Sequence, residues 1–205
     1  MSEIINQEIH ITVNGSASDE LRATVNKFDG KLIVVDGLLQ GQKVITHTMT
    51  SWTGRMTSYE AVKTANIQAN VLRNDGFEVI RVKVESEPHP STLRDGQYCD
   101  GAGTYFESHI GIIHDGKGLA RIEEMGEISF IRPHISKNPF KIMKDGNEMV
   151  MMTIRASEFS LDDFMDNLIE VQKCLEEEFV VGPPIIEYAH YDSNVGLDKK
   201  WMEHD

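Results

Sequence analysis

Gln7-Glu8-Ile9-His10-Ile11-Thr12-Val13 is echoed about a hundred residues later by Phe106-Glu107-Ser108-His109-Ile110-Gly111-Ile112. Both stretches contain Glu-x-His-Ile-x-[Val/Ile] and alternate in the manner of a half-buried β-strand. Residues two apart on a strand face the same way. The repeat therefore predicts two strands that each present a Glu and a His on one face.

A longer repeat of elements surrounds these two strands. Ser58–Glu85 has the pattern of a helix, a turn and a β-branched strand, and Ser160–Tyr188 has the same pattern about 102 residues later. Each half then has the order β-α-β-β-α-β, which is the order of ferredoxin-like units. The sequence predicts an α+β fold of two ferredoxin-like halves related by pseudo-twofold symmetry.

The chain divides into four segments on this interpretation. The first α/β repeat covers residues 1–85, and the second covers residues 104–191. Residues 86–103, rich in Pro, Gly, Ser and Asp, form a linker or a functional loop. Residues 192–205 form a polar C-terminal tail. The alternative is a single α+β domain in which the repeats arise by chance.

Composition excludes several classes of protein. The 205 residues include 20 Lys and Arg against 33 Asp and Glu, for a net charge of −13, and 40% are hydrophobic. A collagen-like or fully disordered chain is excluded, and duplex DNA is disfavoured because the acidic chain repels its phosphates. There is no long apolar run, no signal-peptide pattern and only two distant cysteines, Cys99 and Cys174. We expect a cytoplasmic protein that does not bind a membrane.

The repeated strands supply the first candidate site. If their polar faces meet in one cleft, two His and two Glu converge, and His titrates near neutral pH. His10 and His109 would then act as an acid–base pair. The same cleft would also suit a divalent metal held by Glu8, His10, Glu107 and His109. The alternative is a pair of edge strands with solvated side chains.

Two further segments combine hydroxyl groups with basic side chains. Thr46–Thr57 lies between a predicted strand and a helix N-terminus, where free amide groups favour anions. Arg132–Lys141 contains several basic residues and no acid. Tyr191 leaves the last predicted strand, where it would stack on a base. The predicted phosphate- or nucleotide-binding residues are Thr50, Ser51, Arg55, Ser136, Lys137, Asn138, Lys141 and Tyr191. The alternative is an ordinary helix cap and a basic surface loop.

His10-Ile11-Thr12-Val13 and His134-Ile135-Ser136-Lys137 resemble the His-x-[Ser/Thr]-x motifs of the 2H phosphoesterase superfamily. This resemblance implies two lobes whose His residues flank a phosphodiester, with Thr12 and a second hydroxyl holding the phosphate. His109 is the repeat partner of His10, but Gly111 stands where the hydroxyl should be. The chain also resembles a family without an assigned activity that shares Phe-Glu-x-His, His-[Ile/Leu]-Ser-[Lys/Arg]-Asn and Tyr-Asp-Ser-Asn segments.

Three functions follow from these residues. The leading hypothesis is a hydrolase, a phosphodiesterase acting on a small phosphate-containing ligand or an RNA end. His10 and His109 are its acid–base pair, His134 is the substitute for the second, and no cofactor is needed. The alternatives are a non-catalytic module that sequesters a nucleotide or binds a basic protein partner, and a metalloenzyme with a 2-His-2-Glu site. An oligomer is compatible with each.

Overall fold

A computed structural model describes residues 3–39, 42–93, 103–115, 118–126, 133–139, 143, 147–157 and 159–198. The strands in these ranges are β1 (Ile5–Val13), β2 (Lys31–Leu39), β3 (Gln42–Met56), β4 (Val79–Ser86), β5 (Tyr105–His114), β6 (His134–Lys137), β7 (Glu148–Ala156), β8 (Val180–Val181) and β9 (Ile185–Asp192). The α-helices are α1 (Asp19–Asn26), α2 (Ser58–Asn74), α3 (Leu119–Gly126) and α4 (Leu161–Glu176). A short 3-10 helix, Val195–Asp198, follows β9.

Eight of the strands close into an antiparallel barrel. The order around the ring is β1-β3-β2-β6-β7-β5-β9-β4, and β4 pairs again with β1. The two-residue β8 pairs with Ile112 and Ile113 of β5. It lies on the same edge of β5 as β9, which pairs with the first half of that strand. Closure leaves none of these eight strands as a free sheet edge.

The predicted fold class was wrong. The expectation was an α+β fold of two ferredoxin-like halves related by a pseudo-twofold axis, whereas the structure is one closed barrel that is mostly sheet. The barrel arises because β2 pairs with β6 and β4 pairs with β9, so that strands of both halves share one ring. The predicted order of elements along the chain does recur in each half, with β8 added in the second.

Strand alternation gives the barrel two different surfaces. On β1, Ile9 and Ile11 face outward into a cluster with Ala65 and Leu72 of α2, while Glu8, His10 and Thr12 face the lumen. On β5, Phe106, Ile110 and Ile112 pack outward against residues of α4 that include Phe164 and Leu168. Burying one such side chain contributes about 1.5–3 kcal/mol. The two apolar cores therefore lie outside the barrel, under the helices, and the charged side chains of β1 and β5 face the lumen.

Helix α2 begins where the sequence predicted. Thr57-Ser58-Tyr59-Glu60 has the sequence pattern of a capping box. Thr57 accepts a hydrogen bond from the Glu60 amide, and the Glu60 carboxylate accepts one from the Thr57 amide, so this prediction is confirmed. Helix α4 begins in the same way, because Ser160 accepts a hydrogen bond from the amide of Asp163. Both helices pack against the outside of the barrel.

Some predicted features lie outside the described residues. The sequence also predicts a short strand at Ile128–Ile131 and a turn at Asp145-Gly146, and both lie outside the described residues. The same holds for Cys99, Lys141 and residues 94–102 of the segment 86–103. Within the described ranges, no helix combines the length and apolar character needed to cross a bilayer.

Candidate functional site

The barrel encloses a cavity of about 440 Å³. One part of its wall is apolar and carries three methionines, together with Ile33 and Val35; the methionines are Met49, Met149 and Met151. The other part is charged and polar. Its acidic and basic members are Glu8, His10, His47, Arg81, Lys83, Glu107, His109, His134, Lys137, Arg155 and Glu187. The cavity is thus amphipathic, which is the usual character of a site for a small organic molecule.

His10 lies between two carboxylates on the charged side. Its Nε2 is 2.9 Å from Oε1 of Glu85 on β4 and 3.3 Å from Oε1 of Glu8 on its own strand. Glu8 and Glu85 face each other in the register of β1 and β4, and Ser51 donates a hydrogen bond to Glu8 at 2.7 Å. Among the described residues, Nδ1 of His10 has no hydrogen-bond partner.

His109 has the same surroundings in the second half. Its Nε2 is 3.1 Å from Oε1 of Glu107 and 3.2 Å from Oε2 of Glu187, which faces Glu107 in the register of β5 and β9. Nδ1 of His109 lies 2.9 Å from the hydroxyl of Thr153. The repeat has therefore produced two Glu-His-Glu triplets, Glu8-His10-Glu85 and Glu107-His109-Glu187.

Lys83 forms ion pairs with both triplets, and Arg155 forms one with the second triplet. The Lys83 ammonium is 2.6 Å from Glu85 and 3.2 Å from Glu107. The Arg155 guanidinium donates two hydrogen bonds to the other oxygen of Glu107, at 2.9 and 2.7 Å. Arg155 also stacks over the ring of Tyr105, with its central carbon 4.3 Å from the ring centre. Paired and hydrogen-bonded charges of this kind are the condition under which ions are tolerated in an interior.

The side chains of each triplet shift one another's pKa values. Burial alone would lower the pKa of His109, but hydrogen bonds to Glu107 and Glu187 outweigh it and raise the pKa to about 10. Burial is also the largest single effect on His10 and would lower its pKa, but the charge and hydrogen bond of Glu85, together with the charge of Glu8, raise it overall. Burial would raise the pKa of Glu85, but Lys83 and His10 lower it to about 2. The imidazole of His109 is therefore cationic at neutral pH, and the pKa of His10 is shifted in the same direction.

Glu187 differs from its counterpart Glu85. Burial is the largest effect on Glu187 and raises its pKa, and repulsion from Glu85 adds to that rise, although His109 opposes both. Lys83 contacts Glu85 directly, whereas the position opposite His109 on β9 is occupied by Ile185. Glu187 is thus a carboxylate with less compensation by positive charge than Glu85.

Most of the predicted site residues line the lumen. The structure brings together Glu8, His10, Thr12, Glu107, His109, His134, Ser136, Lys137 and Asn138 around one cavity. Ser51 reaches the site through its hydrogen bond to Glu8. Thr50 is buried but does not line the cavity, Arg55 is exposed at the end of β3, and Tyr191 packs on the outer cluster. Lys141 lies outside the described residues.

Sequence reasoning missed five charged members of the site, namely Arg81, Lys83, Glu85, Arg155 and Glu187. A signal for two of them was present, since Glu85 and Glu187 end the repeated helix-turn-strand patterns with the offset of about 102. Lys83 and Arg155 have no such signal. Their counterparts by strand register are Ile185 and Thr53, so the repeat is broken at these positions.

A groove on the outside of the barrel continues from the charged part of the lumen. It has a volume of about 910 Å³, and Glu8, Ile185 and Glu187 line both spaces. Its apolar wall includes Leu161 and Met165 of α4. These shared residues mark the neck between lumen and surface.

The described residues contain no group of three or more His, Cys, Asp or Glu side chains that is arranged for a metal ion. The imidazole Nε2 atoms of His10 and His109 are directed at carboxylates instead. The divalent metal remains a prediction from the sequence.

Comparison with known proteins gives distant likenesses only. No protein-family model and no curated protein matches the chain. Protein BT0572 from Bacteroides thetaiotaomicron has a similar structure, with 12% identity, coverage of 88% of this chain and 93% of that one, and a TM-score of 0.35. The acetolactate synthase small subunit from Thermotoga maritima is 10% identical, with coverage of 88% and 95% and a TM-score of 0.29. Neither likeness supports phosphodiesterase activity.

Proposed function

We propose that this protein binds one small organic molecule inside the barrel and does not convert it. The observation that carries the proposal is the cavity of about 440 Å³ inside the barrel, which has an apolar wall and a charged wall. Eight-stranded barrels are wide enough to hold one small ligand in this way. The methionine side chains of the apolar wall adapt readily to the shape of a ligand.

The two histidines favour binding over catalysis. An acid–base pair needs one imidazole that is neutral and able to take a proton at the working pH. Here the pKa values of His10 and His109 are both raised, and each Nε2 lies against carboxylates of its own triplet. The proposal therefore follows the non-catalytic alternative and replaces the hypothesis of a hydrolase or phosphodiesterase.

Filling the lumen tests this function. In Met151→Trp, the larger side chain enters the cavity, whereas Ile169→Trp places the same ring on the exposed surface of α4, where Ile169 is 45% exposed. Spectra of protein with ¹³C-labelled methionine methyl groups would be recorded with mixtures of small organic compounds, and native mass spectrometry would detect co-purified molecules. We expect Met151→Trp to weaken binding at least tenfold and Ile169→Trp to leave it unchanged.

Two results would contradict the proposal. One is that Met151→Trp, with the same circular dichroism spectrum as the wild type, binds small molecules as tightly as the wild type does. The other is hydrolysis of bis(p-nitrophenyl) phosphate that His10→Ala abolishes, since this would restore the phosphodiesterase hypothesis.

A further inference from the structure

We propose that the molecule bound in the lumen carries a primary ammonium group, which lies between Glu8 and Glu187. The inference rests on the proposed binding function and adds the chemical class of the ligand, a primary amine with an apolar body. Its basis is a comparison of the two halves of the chain, one of which holds an ammonium group of its own.

Strand register defines which positions correspond. Glu8 faces Glu85 across β1 and β4, and Glu107 faces Glu187 across β5 and β9. Two residue pairs further along each ladder, His10 faces Lys83 and His109 faces Ile185. Lys83 and Ile185 are therefore equivalent, as are the two histidines and the glutamates around them.

The Lys83 ammonium bridges carboxylates of both triplets, at 2.6 Å from Glu85 and 3.2 Å from Glu107. By the same correspondence of registers, Glu187 is the counterpart of Glu85, and Glu8 is the counterpart of Glu107. The equivalent ammonium would bridge Glu187 and Glu8, but the chain has Ile185 where the lysine would be. A pair of carboxylates arranged for an ammonium is thus retained without the side chain that would supply it.

This second pair of carboxylates is open to a ligand, unlike the first. The side chains of Glu85 and Glu107 are 1% and 3% exposed, whereas those of Glu187 and Glu8 are 15% and 30% exposed. Glu8 and Glu187 also line both the lumen and the outer groove. A small amine can therefore reach them from either space.

The remaining charges and the apolar surroundings fit the same class of ligand. Lys83 and Arg155 contact Glu107, and Arg81 contacts Asp192, so these cations are engaged with other carboxylates. The raised pKa of Glu187 accords with a carboxylate that lacks a full positive partner. Beside the neck, Ile185 and the methionines of the lumen offer contact to an alkyl chain. A charged end and an apolar body are thereby accommodated together.

Butylammonium chloride is the probe for this site, with 1-butanol, sodium butyrate and magnesium chloride as matched controls. Binding would be followed through the ¹³C-labelled methionine methyl groups at constant ionic strength. We expect butylammonium to bind at least tenfold more tightly than butanol. Glu8→Gln and Glu187→Gln should each weaken its binding at least tenfold, and Glu170→Gln on the exposed face of α4 should have no effect.

Restoring the lysine gives the sharper test. Ile185→Lys would place an ammonium from the chain between Glu8 and Glu187, so we expect loss of butylammonium binding and a higher melting temperature. Ile185→Met has a similar length without the charge and should bind the probe as the wild type does. Because Ile185 is 57% exposed, both changes are compatible with the fold.

The outcomes separate this inference from the binding function. Lumen binding of butanol or butyrate without preference for butylammonium would overturn the ammonium assignment and leave the binding function standing. Wild-type affinity in Ile185→Lys, or equal shifts with magnesium chloride, would also overturn the assignment. Failure of every organic probe would overturn both proposals.

Discussion

His10 and His109 each lie between two glutamates that come from neighbouring strands. In each triplet the histidine Nε2 lies within 3.3 Å of both carboxylates. A proton on the histidine therefore offsets part of their negative charge in a place where water solvates them poorly. The histidine proton is consequently part of what holds the lumen together.

Stability should fall as this proton is lost. The pKa of His109 is raised from 6.5 to about 10 in the folded protein, so its contribution is complete below pH 6.5 and disappears as the pH rises toward 10. Between pH 7 and pH 10 we expect the folding equilibrium constant to fall at least tenfold, or about 1.4 kcal/mol. Urea unfolding at several pH values measures this.

Two variants check the assignment to His109. His109→Gln should flatten the dependence of the unfolding free energy on pH over this interval. His89→Gln removes a histidine from a loop outside the lumen and should keep the wild-type slope. An unchanged slope in His109→Gln would show that other groups account for the effect.

Lys83 should be the most sensitive cation of the lumen. Lys83→Met keeps the alkyl length but leaves Glu85 and Glu107 without the ammonium between them. Removing one partner from a buried ion pair costs about 3–5 kcal/mol, and we expect a loss of that size in urea unfolding. Lys63→Met, at an exposed position of α2, is the control. Similar losses in both variants would contradict the role given to Lys83.

The residues of the site were predictable only in part. Glu8, His10, Glu107 and His109 were found because alternation tells which residues of one strand share a face. Glu85 and Glu187 lie on β4 and β9, and the alternation of residues along a strand does not reveal how these strands are paired with β1 and β5. The positions of Lys83 and Arg155 also follow from strand pairing, and neither residue has a counterpart of the same type in the other half of the chain.

Helix α2 is the element whose start the sequence specifies best. The reciprocal hydrogen bonds of Thr57 and Glu60 satisfy amide groups that the first turn would otherwise leave free. Thr57→Ala should lower the unfolding free energy by about 1 kcal/mol, measured by urea unfolding. Ser58→Ala, one residue later and outside the box, serves as the control, and an equal loss there would argue against the cap.

Elements with local signals were therefore predictable, whereas the pairings that close the barrel were not. Helix caps and alternation act within a few residues, and they gave the correct order of elements. The closing pairs β2–β6 and β4–β9 join residues about a hundred positions apart. The four-residue β6 is too short for a pattern of its own, which is why two separate halves were expected.

At the scale of the whole molecule, the two outer cores should unfold together. Leu38 of β2 packs into the core of the second half, and the ring of strands passes through both halves. Leu72→Ala in the first core and Ile112→Ala in the second should each cost about 2–5 kcal/mol and shift one common transition.

Two probes check this cooperativity. Trp52 packs against the first core, so its fluorescence reports mainly on that half, while circular dichroism reports on all helices and strands. We expect the two unfolding curves to coincide for the wild type and for both variants. Separate transitions would mean that each half folds alone.

The barrel is closed by strands that all belong to one polypeptide, since β2 meets β6 and β4 meets β9 within the same chain. A ring assembled from two chains would come apart on dilution, because its closure would depend on protein concentration. Here the effective concentration of one half for the other is set by covalent linkage. The cavity should therefore persist when the protein is diluted to nanomolar concentration, with the same shape as in a concentrated sample.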